Sequence, residues 1–123
     1  VISRAVKLEE LEEVYYECLH RNLRYKLGDL EDVILALTVA RIMMANKDEK
    51  AVKYINRSLA YLDHILKNDL LKDDIRRYVN QVKEEIEEAV KDGYTTLHRL
   101  GDLIVRMRHE LVRLTFKCML EEL

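Results

Sequence analysis

The sequence predicts an all-α protein, an antiparallel helical bundle of four to five helices that closes with a long C-terminal helix. Three observations carry that expectation. Apolar residues recur at three- and four-residue steps through most of the chain, the period that keeps side chains on one side of a helix. No stretch alternates apolar with polar residues as a half-buried strand would. The 123 residues include no proline and only 3 glycines, so short polar joints alone interrupt the helical pattern. A chain of this length is expected to form a single helical-bundle domain, residues 1–123.

Ser3 is positioned to cap a first helix running to about Lys26, with Leu8, Leu11, Val14, Tyr15, Cys18, Leu19 and Leu23 facing inward and Gly28 ending it. Asp29 can cap a second helix, and Asp32 adds negative charge at its positive end. This helix reaches Met44 or Ala45 and is apolar all the way round, so it must be enclosed, by the other helices or by a second copy of the chain. After the joint at Asn46, Lys47 and Asp48, a third helix carries the stripe Val52, Ile55, Leu59, Leu62 and Ile65 or Leu66. Asn68 and Asp69 mark the next break. A fourth helix from about Leu70 to Lys91 turns Ile75, Tyr78, Val79, Val82, Ile86 and Val90 inward, and its outer face ends in Glu84, Glu85, Glu87 and Glu88. Asp92 and Gly93 stop it, and Thr95 or Thr96 caps the last helix.

That last helix carries two apolar seams. Leu97, Leu100, Ile104, Met107, Leu111, Leu114 and Cys118 form the first, which keeps its phase through Gly101 and so predicts a close-packing point within one continuous helix. Val105, Val112, Phe116, Met119 and Leu123 form the second. A helix with two apolar faces needs two surfaces to pack against, so a homodimer or higher oligomer is expected. Its interface would draw on this second seam together with Val33, Leu37 and Met44 of the all-round apolar helix.

Charge and composition exclude several classes. With 21 Lys and Arg against 23 Asp and Glu, the net charge of −2 predicts neither a general polyanion binder nor an acidic tail. Charged residues make up 36% of the chain, which argues for ordered helical structure and suits a heat-adapted organism. The apolar run from Val33 to Ala45 is interrupted by Arg41 and falls far short of the roughly 20 residues that span a bilayer, so no membrane partner is expected. Val1 to Lys7 lacks the apolar core of a signal peptide, which points to the cytoplasm. Cys18 and Cys118 each adjoin an apolar neighbour and read as small buried thiols rather than a disulfide.

No pattern demands a cofactor or names a catalytic residue. Glu17 and His20 have the Glu-x-x-His spacing of di-iron and di-manganese bundles, but no second such pair accompanies them. Glu9, Glu10 and Glu13, with Asp29 and Asp32, resemble the acidic elements of MazG-like all-α nucleotide pyrophosphohydrolases over the first third of the chain. That resemblance implies Mg²⁺ held against a triphosphate, although Lys26 stands where the family's second element has Glu. Arg57 and His64, seven residues apart on one face, resemble the Arg-x(4–6)-His element of HEPN-type ribonucleases, which implies an arginine and a histidine acting on an RNA phosphate ester. Acidic first turns that complement the helix dipole account equally for the first pattern, and chance pairing for the second.

Arg99, Arg106, Arg113 and Lys117 form a basic strip that could track a nucleic-acid backbone, but Asp102 and Glu110 interrupt it and Glu84 to Glu88 offer it a neighbouring acidic helix. Arg41 is expected to extend its charge to the surface or to meet a carboxylate such as Glu31 or Asp32, with anion binding as the alternative. The reading that gathers most of these observations is a small helical interaction or scaffold protein acting through self-association or docking of a protein partner. A nucleic-acid-associated helical protein and a metal-dependent nucleotide hydrolase are its rivals.

Overall fold

Five helices form where the periodicity places them: α1 (Leu8–His20), α2 (Leu27–Ala45), α3 (Ala51–Leu66), α4 (Asp73–Lys91) and α5 (Thr96–Glu122), in a computed structural model that describes residues 5–93 and 95–123. No strand occurs among the described residues, and the expected cap at Ser3 lies outside them. The short joints make consecutive helices antiparallel: Leu19 lies against Gly28, Asp63 pairs with Lys83, and Glu85 pairs with Arg106.

The centre of the bundle is α2. Leu27, Leu30, Val33, Ile34, Ala36, Leu37 and Ala40 are all buried, chiefly against α3 and α5. Burial of this face is completed within one chain, while Leu35, 62% exposed, and Ile42, 56% exposed, stay open on the opposite face, so the expected enclosure of the whole helix is only partly met. Val33 and Leu37 have no exposed surface, which removes them from any interface between copies, and Met44 is half-buried against the same core. Around α2 the other helices turn in one stripe each: Ile55, Leu62 and Ile65 from α3, Ile75, Val79, Val82 and Ile86 from α4, and Leu100, Ile104, Met107, Leu114 and Cys118 from α5. Val52 and Val90, expected inside, are exposed, and buried Ala51 and Ala89 take the inward positions beside them.

Close approach explains two glycines. Gly101 lies within an unbroken α5, and a Cβ there would come 2.7 Å from Arg41 Nε, so its bareness lets the Arg41 side chain pass. Gly28 does not end the first helix. It sits in the first turn of α2, where a Cβ would stand 2.6 Å from the Leu19 carbonyl oxygen. The first helix ends earlier than its apolar pattern suggests because the Asn22 side chain accepts the backbone N–H of Arg24 at 2.9 Å and of Tyr25 at 3.2 Å, drawing the chain into a turn. Lys26 completes that turn in the left-handed region, with φ of 53°.

One end of the bundle is tied together through this turn. The Asn68 side chain donates to the Leu23 carbonyl, and the Lys72 backbone N–H donates to the Arg24 carbonyl at 2.9 Å, so the α1–α2 and α3–α4 joints lie side by side. Arg76 closes the end of α3 by donating to the carbonyls of Leu66 at 2.7 Å and Asn68 at 2.8 Å. Beneath the joints Lys72 Nζ donates to the buried Tyr25 hydroxyl at 3.2 Å and to Glu121 of α5 at 2.9 Å.

The cysteines are not free thiols. Cys18 of α1 and Cys118 of α5 form a disulfide across 100 positions of sequence, with their Cα atoms 6.0 Å apart and neither residue exposed. The bridge matters because α1 is weakly anchored otherwise: Cys18 and Leu19 are its only fully buried residues, while Leu8 and Tyr15, expected to face inward, are exposed. Closing a loop of this length is worth about 4–5 kcal/mol in the chain-entropy model. Replacing both cysteines with alanine should therefore lower stability by roughly 2–5 kcal/mol. The loss should show in hydrogen exchange first, with α1 amides exchanging much faster than those of α2; equal change in both helices would mean that the bridge stabilises the bundle uniformly.

Candidate interaction surface

The structure separates the two seams of α5. The first faces α2 and is buried, apart from half-buried Leu111 and exposed Leu97 at the helix start. The second runs along the outside: Val105 is 54% exposed, Val112 57% and Phe116 66%, with Met119 and Leu123 half-buried at its C-terminal end. Single exposed apolar residues are ordinary on a protein surface, but a row of them on one helix face is not.

This row is a ridge between two grooves. On the α1 side an apolar groove of about 260 Å³ is lined by Tyr15 and Leu19 of α1 and by Leu111, Val112, Phe116 and Met119 of α5, with Glu31 at its border. The disulfide fixes this wall, since Cys18 and Cys118 stand one position from Leu19 and Met119. On the α4 side a larger, more polar groove of about 590 Å³ runs between Tyr78 and Val82 on one wall and Val105, Arg106 and His109 on the other. Desolvation raises the Tyr78 hydroxyl above the ordinary tyrosine range, so this wall presents a neutral phenol.

The basic strip does not stand free. Arg99 meets Glu88 at 3.7 Å and Asp92 at 3.3 Å; Arg106 meets Glu85 at 3.0 Å and Asp102 at 3.1 Å; Lys117 meets Asp74 at 3.0 Å; and Arg113 pairs with Glu110. Except for the Asp102 and Glu110 contacts, which lie within α5, these are α4 or α4–α5 joint carboxylates, so the strip zips α5 to its acidic neighbour. A polyanion would have to compete with each of these pairs.

Arg41 meets no carboxylate among the described residues. It runs over Gly101 and donates from Nε to the Leu97 carbonyl at 3.0 Å, tying the end of α2 to the first turns of α5. Glu17 pairs with Arg21 at 2.7 Å, and His20 packs its ring against Tyr16. Asp29 pairs with Lys26 at 3.6 Å. No group of three or more His, Cys, Asp or Glu among the described residues is arranged to hold a metal ion. Arg57 lies over the Tyr54 ring at 4.9 Å, and His64 is exposed on the same helix. No described helix is long and apolar enough to cross a membrane.

Three features of this surface escaped the sequence: the outward aim of Tyr15, the groove that α1 forms with α5, and the disulfide behind it. The available signal was the symmetric placement of two cysteines near the ends of α1 and α5, which means little until those ends are known to meet. No protein-family model matches the chain, and neither a curated protein nor a solved structure shows detectable similarity to it.

The pairs at the tied end of the bundle set a response to acid. The Lys117 ammonium donating to Asp74 holds that carboxyl below its usual range, and donation from Tyr25 and Lys72 does the same for Glu121. A carboxyl whose pKa is depressed on folding stabilises the fold above its unfolded value, near 4, and loses that contribution as pH falls through the folded value. Thermal midpoints should accordingly drop between about pH 5 and pH 3, and Asp74→Asn should flatten part of that slope while costing less than about 1 kcal/mol at neutral pH. An unchanged slope in the variant would mean that the Lys117 pair contributes nothing to it.

Proposed function

We propose that this protein acts by association, burying the outward ridge of α5 and its flanking grooves against another protein surface, with a second copy of the chain as the first candidate. The observation that carries the reading is the exposure of Val105, Val112 and Phe116 in line on a helix whose opposite seam already fills the core. An exposed phenylalanine beside an apolar groove has the character of an interface anchor, because aromatic side chains that fill pockets dominate binding energies. The surrounding charges suit a rim that selects and orients the partner.

The rival readings have less behind them. Arg99, Arg106, Arg113 and Lys117 are engaged with carboxylates, and the acidic residues that resemble a nucleotide pyrophosphohydrolase are not grouped as metal ligands among the described residues. With the association reading we keep a cytoplasmic setting. The buried Cys18–Cys118 bridge then favours the interior of a heat-adapted cell, where such bridges persist, and the charge-rich composition suits the same setting.

Phe116→Ser tests the reading without touching the core. If the ridge is the contact, the variant should keep its helical content and weaken association by about 30-fold or more in sedimentation velocity, the size expected of a central aromatic anchor. Association unchanged in Phe116→Ser and in Val112→Ser would place the contact elsewhere.

A further inference from the structure

We infer that the ridge of α5 packs antiparallel against the same ridge of a second copy, about a two-fold axis between Val112 and Phe116. This rests on the association reading and adds a register to it. Val105, Val112, Phe116 and Leu123 follow steps of seven, four and seven residues, a spacing that reads the same from either end. Such a pattern is what an antiparallel pair of identical helices requires, because each apolar position must find an apolar position opposite it when one helix is reversed. In this register Val112 of one copy meets Phe116 of the other, Val105 meets Leu123, and Met119 covers the apolar part of His109. A register shifted by one turn would set Phe116 against charged Arg108 in one direction, or Val112 against Leu120 in the other.

The surroundings of the ridge fit the same symmetry. A two-fold axis crossing two antiparallel helices keeps the α1 side of one copy beside the α1 side of the other. On that side of α5 lies Arg108, and across the groove lies Glu31; neither forms an ion pair among the described residues. The reversal brings Arg108 of one copy toward Glu31 of the other, pairing the charges at the groove borders. The ridge alone is too small for a stable interface. From Val105 to Leu123 the ridge is about 27 Å long and about 10 Å wide, roughly 270 Å², against the ~800 Å² per partner of a stable interface. The contact must therefore extend onto the flanks, and Tyr15 on the disulfide-held α1 wall is the nearest exposed aromatic side chain available to it.

Cross-linking reads the register directly. Val112→Cys and Phe116→Cys chains, each retaining the buried Cys18–Cys118 bridge, are oxidised alone and as an equal mixture, while sedimentation of the parent chain reports whether it associates. The mixture should yield a covalent 112–116 dimer several-fold faster than either chain cross-links alone, and Val105→Cys with Leu123→Cys should behave likewise. A parent dimer in which neither mixture cross-links faster than its single variants, the Val105→Cys and Leu123→Cys mixture that keeps Phe116 included, would overturn the register and leave association standing. A parent chain that stays monomeric throughout would remove both the association reading and the register built on it.

Discussion

Burial of the broad inner face of α2 is the constraint on which the rest of the structure depends. Its seven buried side chains, which leave Leu35 and Ile42 outside, spread over about half of the helix circumference, too wide an arc for a single neighbour to cover. Exposing even one large apolar side chain among them would cost about 1.5–3 kcal/mol, a large share of the net stability of a chain this size. Covering α2 commits α3 on one side and the first seam of α5 on another, with α4 closing the far side of the core and α1 resting over the joint. Each of α3 and α4 has one apolar stripe and spends it on this core. α5 has a second stripe that nothing among the described residues covers, and α2 leaves the shorter pair Leu35 and Ile42 open as well.

Polar interactions then decide how the outer helices sit. α4 approaches α5 with its acidic residues aligned to the Arg106 and Lys117 side chains, and exposed pairs of this kind add register more than stability. α1 has neither such a ladder nor a deep apolar stripe. Its position depends on the Cys18–Cys118 bridge and on the turn that Asn22 organises, and that position is what makes a groove beside Val112 and Phe116. Structural economy and association are thus linked: the bridge that holds the least buried helix also shapes one wall of the surface offered to a partner. Arg41 does comparable work at the other end, where the missing Cβ of Gly101 lets a guanidinium reach the Leu97 carbonyl and fasten α2 to the beginning of α5.

Much of this was legible in the residues. The number and order of the helices followed from apolar steps of three and four, and the continuity of α5 through Gly101 followed from the unbroken phase of its first seam. The all-round apolar character of α2 predicts enclosure, but what covers it is a tertiary fact: the 0% exposure of Val33 and Leu37 beside 62% for Leu35 and 56% for Ile42 shows that the chain itself covers one face only. The apolar pattern predicts a longer first helix because Leu23 continues it, whereas an Asn22 side chain capturing two backbone N–H groups overrides a weak propensity. Gly28 lies inside α2 and not at the end of α1; a glycine that ends one helix and a glycine that lets another helix approach look identical in sequence. The disulfide was illegible because its cysteines lie 100 positions apart and only the meeting of α1 with α5 brings them together.

The central claim is that the second seam of α5 is closed by another copy of the chain and not within one. Native mass spectrometry of the oxidised protein over a hundredfold range of concentration tests it most directly, because it counts subunits and reports any retained ligand in the same spectrum. The account predicts a species of twice the chain mass that grows with concentration, carries no adduct and disappears in the Phe116→Ser variant. A chain that remains monomeric at every concentration, with or without a retained small molecule, would contradict it.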